Sequence, residues 1–297
     1  MIFNETISVV LGTYNRFPFL KLAIASIRKE LLNFSPGYEI IVIDGGSTDG
    51  SLKWLLKQKD IITIVQHNRG KWHGKEVPRK SWGYFMNLGF KCAQGKYICM
   101  LSDDCLVIPG AIKNGYDLFE KKLCGDEKIG AMAFYWRNWP WQKKYWVGLT
   151  LGDRMFVNHG MYLSSAIKEV GYIDEETYGF YHADGDVCLK MWHAGYKCID
   201  SQNSYIEHFL HANIKCRKRN YENQIQDWNN YLRKWEGIFY NKRNFDEGGW
   251  IEKEFHANGR ICKSFRYYWW LFRLKTVFVK IMFKLKSFIC TILSCKS

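Results

Sequence analysis

The sequence predicts an α/β fold: a mostly parallel sheet flanked by helices, followed by a C-terminal basic amphipathic helical extension. Three observations carry that expectation. Short apolar runs alternate with helix-like stretches through residues 7–101, the pattern of strands joined by helical crossovers. The polar loops Gly12–Arg16, Asp44–Ser51 and Ser102–Cys105 each follow an apolar run, so a parallel sheet gathers them at its C-terminal edge, where such folds bind ligands. Finally, two adjacent carboxylates, Asp103 and Asp104, end the run Tyr97–Leu101. Like charges near a low-dielectric core are tolerated mainly when a cation or cationic ligand sits between them. A divalent metal holding a phosphorylated substrate fits that requirement; a solvated turn is the plain alternative.

The elements follow in order. Ile7–Leu11 reads as a strand, Phe19–Leu32 as an amphipathic helix, Glu39–Ile43 as a second strand and Ser51–Lys57 as a helix. Ile61–Val65 is a third strand, Tyr84–Ala93 a helix and Tyr97–Leu101 a fourth strand. The absence of a Gly-x-Gly-x-x-Gly turn and of a Gly-Lys-Ser/Thr loop argues against a dinucleotide fold and a P-loop enzyme. Further on, Trp136–Trp146 sets five large aromatics among cations, and Tyr178–Tyr196 reads as a loop entering a helix, with Asp184 near its start and Gly195 ending it.

Composition narrows the class. A chain of 297 residues, 47% hydrophobic with only 5 Pro, is globular and holds one large domain, or a domain with an appendage. Its 13 Trp exceed what a core needs, so some are expected on a binding surface. The 10 cysteines are scattered singly, form no C-x-x-C pair and follow no signal peptide. Reduced thiols in a cytoplasmic protein are the expectation.

The net charge of +14 is concentrated at the C-terminal end. From Phe255 onward there is no acidic residue, while Arg260, Lys263, Arg266, Arg273, Lys275, Lys280, Lys284, Lys286 and Lys296 supply positive charge. Arg266, Arg273, Lys280 and Lys284 fall on one helical face, with Tyr268, Trp269, Phe272, Val279, Met282 and Phe283 over much of the remainder. Such a stretch is expected to lie on an anionic bilayer. The longest uncharged run, Ser287–Cys295, is too short to cross one. A helix packed on the domain with its Lys side solvated is the alternative. Nucleic acid is disfavoured as a partner, because no base-stacking or groove-reading motif accompanies the charge.

Three ordered segments carry a resemblance. Ser8–Arg16, Ile40–Gly50 and Gly95–Asp104, with Asn68, Arg69, Gly70 and Asn87–Gly89 between them, resemble the inverting family-2 glycosyltransferases of the GT-A fold. Val170–Glu175 and Asp184–Lys190 resemble the later acceptor-side motifs of that family, and Lys71–Gly83 looks like a local insertion. The resemblance covers roughly residues 5–215 and implies a Rossmann-like nucleotide-binding half plus an acceptor-binding half. On that basis residues 1–225 form the transferase domain, divided at 105, and residues 226–297 the extension, membrane-associating from about 264.

The activity so implied is metal-assisted single displacement with inversion, in polysaccharide biosynthesis. The donor is a nucleotide-diphosphate sugar, the cation Mn²⁺ or Mg²⁺, and the acceptor a glycan or lipid-linked glycan at the cytoplasmic face of a membrane. Donor contacts carry over to Thr13, Tyr14, Asn15, Arg16, Asp44, Asn68, Asp103 and Asp104, with Tyr14 stacking on the base and Thr13 bonding it. Gly45 stands where many relatives carry a second Asp that reads a uracil edge, and Ser102 replaces the first acid of the usual Asp-x-Asp. Asp104 and His208 are the implied metal residues, with His211 the alternative imidazole. Asp184 matches the general base. Trp139, Trp141, His159 and Asp186 fall on the acceptor side, Asp186 also being the fallback base. Arg79 and Lys80 read as a solvated loop, with a contact to the diphosphate the alternative. The competing class is a catalytically inactive, basic peripheral-membrane or nucleic-acid-binding protein on a transferase-like fold; Asp44, Asp104 and Asp184 together argue against it.

Overall fold

The computed structural model describes residues 6–68, 71–139, 142–209, 220–243 and 248–256, and six positions beyond them, 267, 270, 271, 274, 277 and 281. The chain divides into two compact units, Met1–Phe255 and His256–Ser297.

In the first unit the alternation read from sequence is the observed one. Strand β1 (Ile7–Thr13) leads to helix α1 (Phe17–Leu31), β2 (Tyr38–Asp44), α2 (Ser51–Leu55) and β3 (Ile61–Val65). After a hairpin of β4 (Lys71–Trp72) and β5 (Lys75–Glu76) come α3 (Trp82–Cys92), β6 (Tyr97–Ser102) and the short β7 (Cys105–Val107). The hairpin accounts for the insertion; His73 and Gly74 both have positive φ, which its two-residue turn requires. Then follow α4 (Ala111–Cys124), β8 (Ile129–Asn138), β9 (Tyr145–Thr150), β10 (Arg154–Met155) and β11 (Gly160–Leu163). The unit closes with α5 (Ser164–Glu169), α6 (Ala183–His193), β12 (Lys197–His208), α7 (Gln224–Trp235) and β13 (Trp250–Lys253).

The main sheet runs β10-β9-β8-β11-β6-β1-β2-β3. Strands β6, β1, β2 and β3 are parallel, whereas β11 is antiparallel to both β6 and β8. Pairing of Gly12 with Ser102 and of Thr13 with Asp44 brings three strand ends level. Both faces are covered. Leu20, Ala23, Ile24, Ile27 and Leu31 of α1 bury against Val9, Leu11, Ile40 and Val42, while on the other side a Cβ at Gly89 of α3 would meet Val10 at 2.5 Å. Strands buried on both faces read as continuous apolar runs, which is why Val9–Leu11 and Ile40–Ile43 were legible.

Two features complete the frame. Gly195, at φ +81°, ends α6, with the Gly195 and Tyr196 N–H groups donating back to Trp192 and Met191. Helix α7 lies within the first unit and runs across residue 225, where the sequence reading ends the transferase domain. Its Tyr231 and Trp235 are buried, Tyr231 bonded to Thr150 and Trp235 to Asp186. In the second unit Tyr267, Trp270, Leu271, Leu274, Val277 and Ile281 are helical and 48–64% exposed. Their spacing keeps them on one helical face.

Helix α4 begins at Gly110 with no side-chain cap of its own. Glu30 of α1 supplies the anion instead, accepting from the backbone N–H of Gly110 at 2.7 Å and of Ile112 and Lys113 at 3.1 Å each. Glu30→Ala is expected to lower unfolding stability by roughly 2–3 kcal/mol, because it strands these donors at a largely buried site. Urea unfolding of the full chain measures this, and an unchanged midpoint would remove Glu30 as the cap.

Candidate active site

The level ends of β1, β2 and β6 open onto a cavity of about 200 Å³. Thr13, Tyr14, Gly45 and Asp103 line it from the strand ends; Arg79, Lys80, Asn158, Gly179 and Phe180 line it from later segments.

Asp103 and Asp104 are 2% and 3% exposed, so the solvated-turn alternative is excluded. Their cation is Arg16: its Nη1 donates to Asp103 Oδ1 at 2.7 Å and to Asp104 Oδ2 at 3.1 Å. Arg16 was expected at the donor; that it also holds this pair has no local sign in the sequence. Thr13, expected at a nucleobase, donates its hydroxyl to Asp103 Oδ2 at 2.8 Å. Burial raises the Asp103 carboxyl, with the Asp104 charge adding to it and Arg16 opposing. Burial also works against the Asp104 charge, but Arg16 and His208 outweigh it and hold that carboxyl below the ordinary range.

Loop 45–50 is fixed from both sides. Asp44 is fully buried; its Oδ1 accepts from the N–H groups of Gly46 and Ser47, and its Oδ2 has no hydrogen-bond partner. Asn15, with φ 52°, accepts from the Thr48 N–H on its side chain and donates its own N–H to Ser47 Oγ. A Cβ at Gly45 would come within 3.2 Å of the Tyr14 ring, so glycine lets that ring lie against the loop in the cavity wall. Asn68 grips both the N–H and the carbonyl of Lys80, which anchors the end of the inserted segment. Arg79 and Lys80, read as a solvated loop, are exposed yet line the cavity.

Asp184 sits half-buried in the first turn of α6, accepting from Asn158 Nδ2 at 2.6 Å and from the Gly185 N–H at 3.0 Å. Burial pushes its carboxyl up to about 6. Asp186, two residues on, points the other way. It is fully buried, accepting from Tyr178, Trp235 and Lys234. An acceptor contact or a fallback base was expected there, and its burial corrects both, since helix positions two apart do not share a face. Asp227 of α7 is a site-building residue that sequence reasoning missed. Its buried carboxylate takes the N–H groups of Gly179, Phe180 and Tyr181 and so shapes the loop that lines the cavity.

The later histidine does reach the carboxylates. Pairing of His208 with Cys105 across β12 and β7 brings His208 Nε2 to 3.4 Å from Asp104 Oδ1. Asn138 Oδ1 lies 2.9 Å from His208 Nδ1, so Nδ1 donates there and Nε2 is the nitrogen that faces Asp104. Asp104 Oδ1 is buried and lacks a hydrogen-bond partner. An unpartnered buried carboxylate oxygen beside a partly buried imidazole nitrogen fits a cation between them. His159, expected on the acceptor side, is instead 5% exposed beside Cys105, and Trp136 packs edge-on against both imidazoles. Trp139 is buried at 8% exposure, with its backbone N–H donating to the His208 carbonyl, so acceptor stacking is not its place. Trp141 and His211 lie outside the described residues.

Strand order, level strand ends and buried carboxylates together define an α/β site at the C-terminal edge of a parallel sheet, and the comparisons give its family. The model of glycosyl transferase family 2 matches residues 8–161, and the chain belongs to that family, with the GT-A architecture. The uncharacterized glycosyltransferase RC0461 of Rickettsia conorii is 36% identical over 107 residues, 35% of this chain but only 16% of that protein. The mannosyltransferase PcManGT from Pyrobaculum calidifontis, solved with GDP-Man and Mn²⁺, shares the fold at TM-score 0.56 and 15% identity, over 80% of this chain and 67% of that one. S. aureus TarS 1-349, solved also with UDP-GlcNAc, matches at TM-score 0.53 and 15% identity, over 69% of this chain and 60% of TarS.

Arg16→Met leaves two buried carboxylates without their guanidinium and is expected to cost about 3–5 kcal/mol at neutral pH. The deficit relative to wild type should shrink as pH falls toward the ordinary carboxylate range. The variant's pair has raised folded-state pKa values, and a raised acid gains stability as pH drops through its folded value. Denaturant unfolding between neutral and acidic pH checks both size and sign.

Proposed function

We propose that this chain transfers a sugar from a nucleotide-diphosphate donor to a glycan or lipid-linked glycan acceptor by single displacement with inversion. One observation carries the reading: a single cavity joins Asp103, beside the cation-ready Asp104–His208 pair, to Asn158, which holds Asp184. The nucleotide sugars in PcManGT and TarS support the donor class.

Tyr14 offers a ring for the base, and Arg79 and Lys80 offer positive charge for the diphosphate. Asp184 takes the proton of the acceptor hydroxyl as that oxygen bonds to the anomeric carbon and the bond to the diphosphate breaks. A carboxyl raised to about 6 is basic enough to accept that proton yet ionised at neutral pH. Asp104 and His208 would hold a divalent cation, which would offset the charge growing on the leaving diphosphate. Asp184→Asn should lower turnover by about 10²–10⁴-fold with donor affinity kept. Wild-type turnover should rise with pH through about 6 and then level, because the base works deprotonated. Unchanged turnover in the variant would remove Asp184 as base.

We further infer peripheral attachment to the cytoplasmic face of a membrane through the second unit. Its exposed apolar face and the basic residues of the same stretch support this. Among the described residues no helix is long and apolar enough to cross a membrane. Removing residues 264–297 should abolish sedimentation with vesicles containing phosphatidylserine, and retained sedimentation would overturn the assignment.

A further inference from the structure

A cysteine stands where a hard-cation centre has no use for one. Cys105 Sγ lies 3.7 Å from His159 Nε2, and ligand atoms of Cys105, His159 and His208 all fall within 4.8 Å of one another. In a tetrahedral site with zinc–sulfur bonds of about 2.3 Å and zinc–nitrogen bonds of about 2.0 Å, neighbouring sulfur and nitrogen ligands stand about 3.5 Å apart. The cluster therefore needs only small side-chain movements to close on an ion. Cys105 and His159 are 1% and 5% exposed, and the Trp136 ring packs against both imidazoles.

A second observation points independently to a ligand. Asp104 Oδ1, in a residue 3% exposed, has no hydrogen-bond partner and is 3.4 Å from His208 Nε2. It offers a fourth donor at the edge of the cluster.

We propose that Cys105, His159 and His208, with Asp104 beside them, form a thiophilic metal site that takes Zn²⁺-class cations in preference to Mn²⁺ or Mg²⁺. Thiol and imidazole donors suit borderline and soft cations, whereas Mg²⁺ and Mn²⁺ favour sets built mainly of oxygen. The inference deepens the reading above by naming the cation class of its metal centre, and it can fail while that reading stands. On binding, the Cys105 S–H proton goes to water as the sulfur–metal bond forms, and no electrons are exchanged. One thiolate and one carboxylate then balance the dication, while Arg16 continues to neutralise Asp103.

The test is optical and needs no donor or acceptor. The full chain, stripped of metal with chelator, is titrated with Co²⁺. The expected result is a near-ultraviolet thiolate-to-cobalt charge-transfer band, with visible absorption of tetrahedral strength. One equivalent of Zn²⁺ should erase both, and a tenfold excess of Mn²⁺ should leave both intact. Cys105→Ser should remove the charge-transfer band, and His159→Gln should weaken Co²⁺ binding at least about tenfold. Cys99→Ser, at another buried thiol, should keep the full spectrum. Weak octahedral absorption without charge transfer in the wild type overturns the site, as does a band that survives Cys105→Ser or yields to Mn²⁺. The wild-type spectrum decides even if a variant fails to fold. A chain that gives the band but transfers no sugar would count against the transferase reading alone.

Discussion

The site depends on one guanidinium nitrogen placed between two buried carboxylates. Asp103 and Asp104 occupy the strand end that faces the cavity, and without Arg16 their mutual repulsion and desolvation would oppose the fold there. Arg16 reaches them because β1 and β6 are parallel neighbours in register and because Asn15, in a left-handed turn, hands the chain from β1 to α1. The Ser47 and Thr48 contacts hold that turn. A single positive charge leaves the carboxylate pair with one net negative charge. That remainder lies on the side where Asp104 faces His208, so the arrangement that stabilises the strand end also leaves a place for a cation.

A second constraint sets which side chains meet that remainder. Strand β12 runs parallel to β8, is interrupted between Ser201 and Tyr205, and then also pairs antiparallel with β7. Glu207 is fully buried and takes two hydrogen bonds from Arg137 and one from Tyr145. Neighbouring residues of a strand face opposite ways, so this anchor on Glu207 turns His208 toward Asp104. A one-residue slip would exchange the two side chains, and the anchored ion pair opposes that slip.

The elements that position the site were legible because they have strong local signals: continuous apolar strands, a glycine ending α6, and the ordered polar loops at the strand ends. The family motifs located Tyr14, Asp104 and Asp184. What stayed hidden was pairing across long chain separations. Nothing near Arg16 announces that its side chain meets carboxylates 87 and 88 residues away, and Asp227 gives no local sign that it orders the loop 179–181. His159 read as an acceptor-side residue and Cys105 as one more reduced thiol until β7 and the segment before β11 bring them together. Asp186 misled because an acidic pair in a first helical turn looks bifunctional, although its two members face opposite sides.

The segment before β11 joins these threads. Asn158 bonds Asp184, and the next residue, His159, lies beside Cys105. The His159 carbonyl accepts from the Phe134 N–H, and Gly160 has φ +155°. A Cβ at Gly160 would fall 2.0 Å from the Met132 carbonyl oxygen, so only glycine lets the segment lie this close to β8. The proposed base and the proposed metal ligands therefore share a two-residue support whose position is set by β8. Displacing that support would disturb Asp184 and the metal-side imidazoles together. The proposed base and the proposed metal ligands are thus one mechanical unit, although these side chains also come from helix α6, the end of β6, β7 and strand β12.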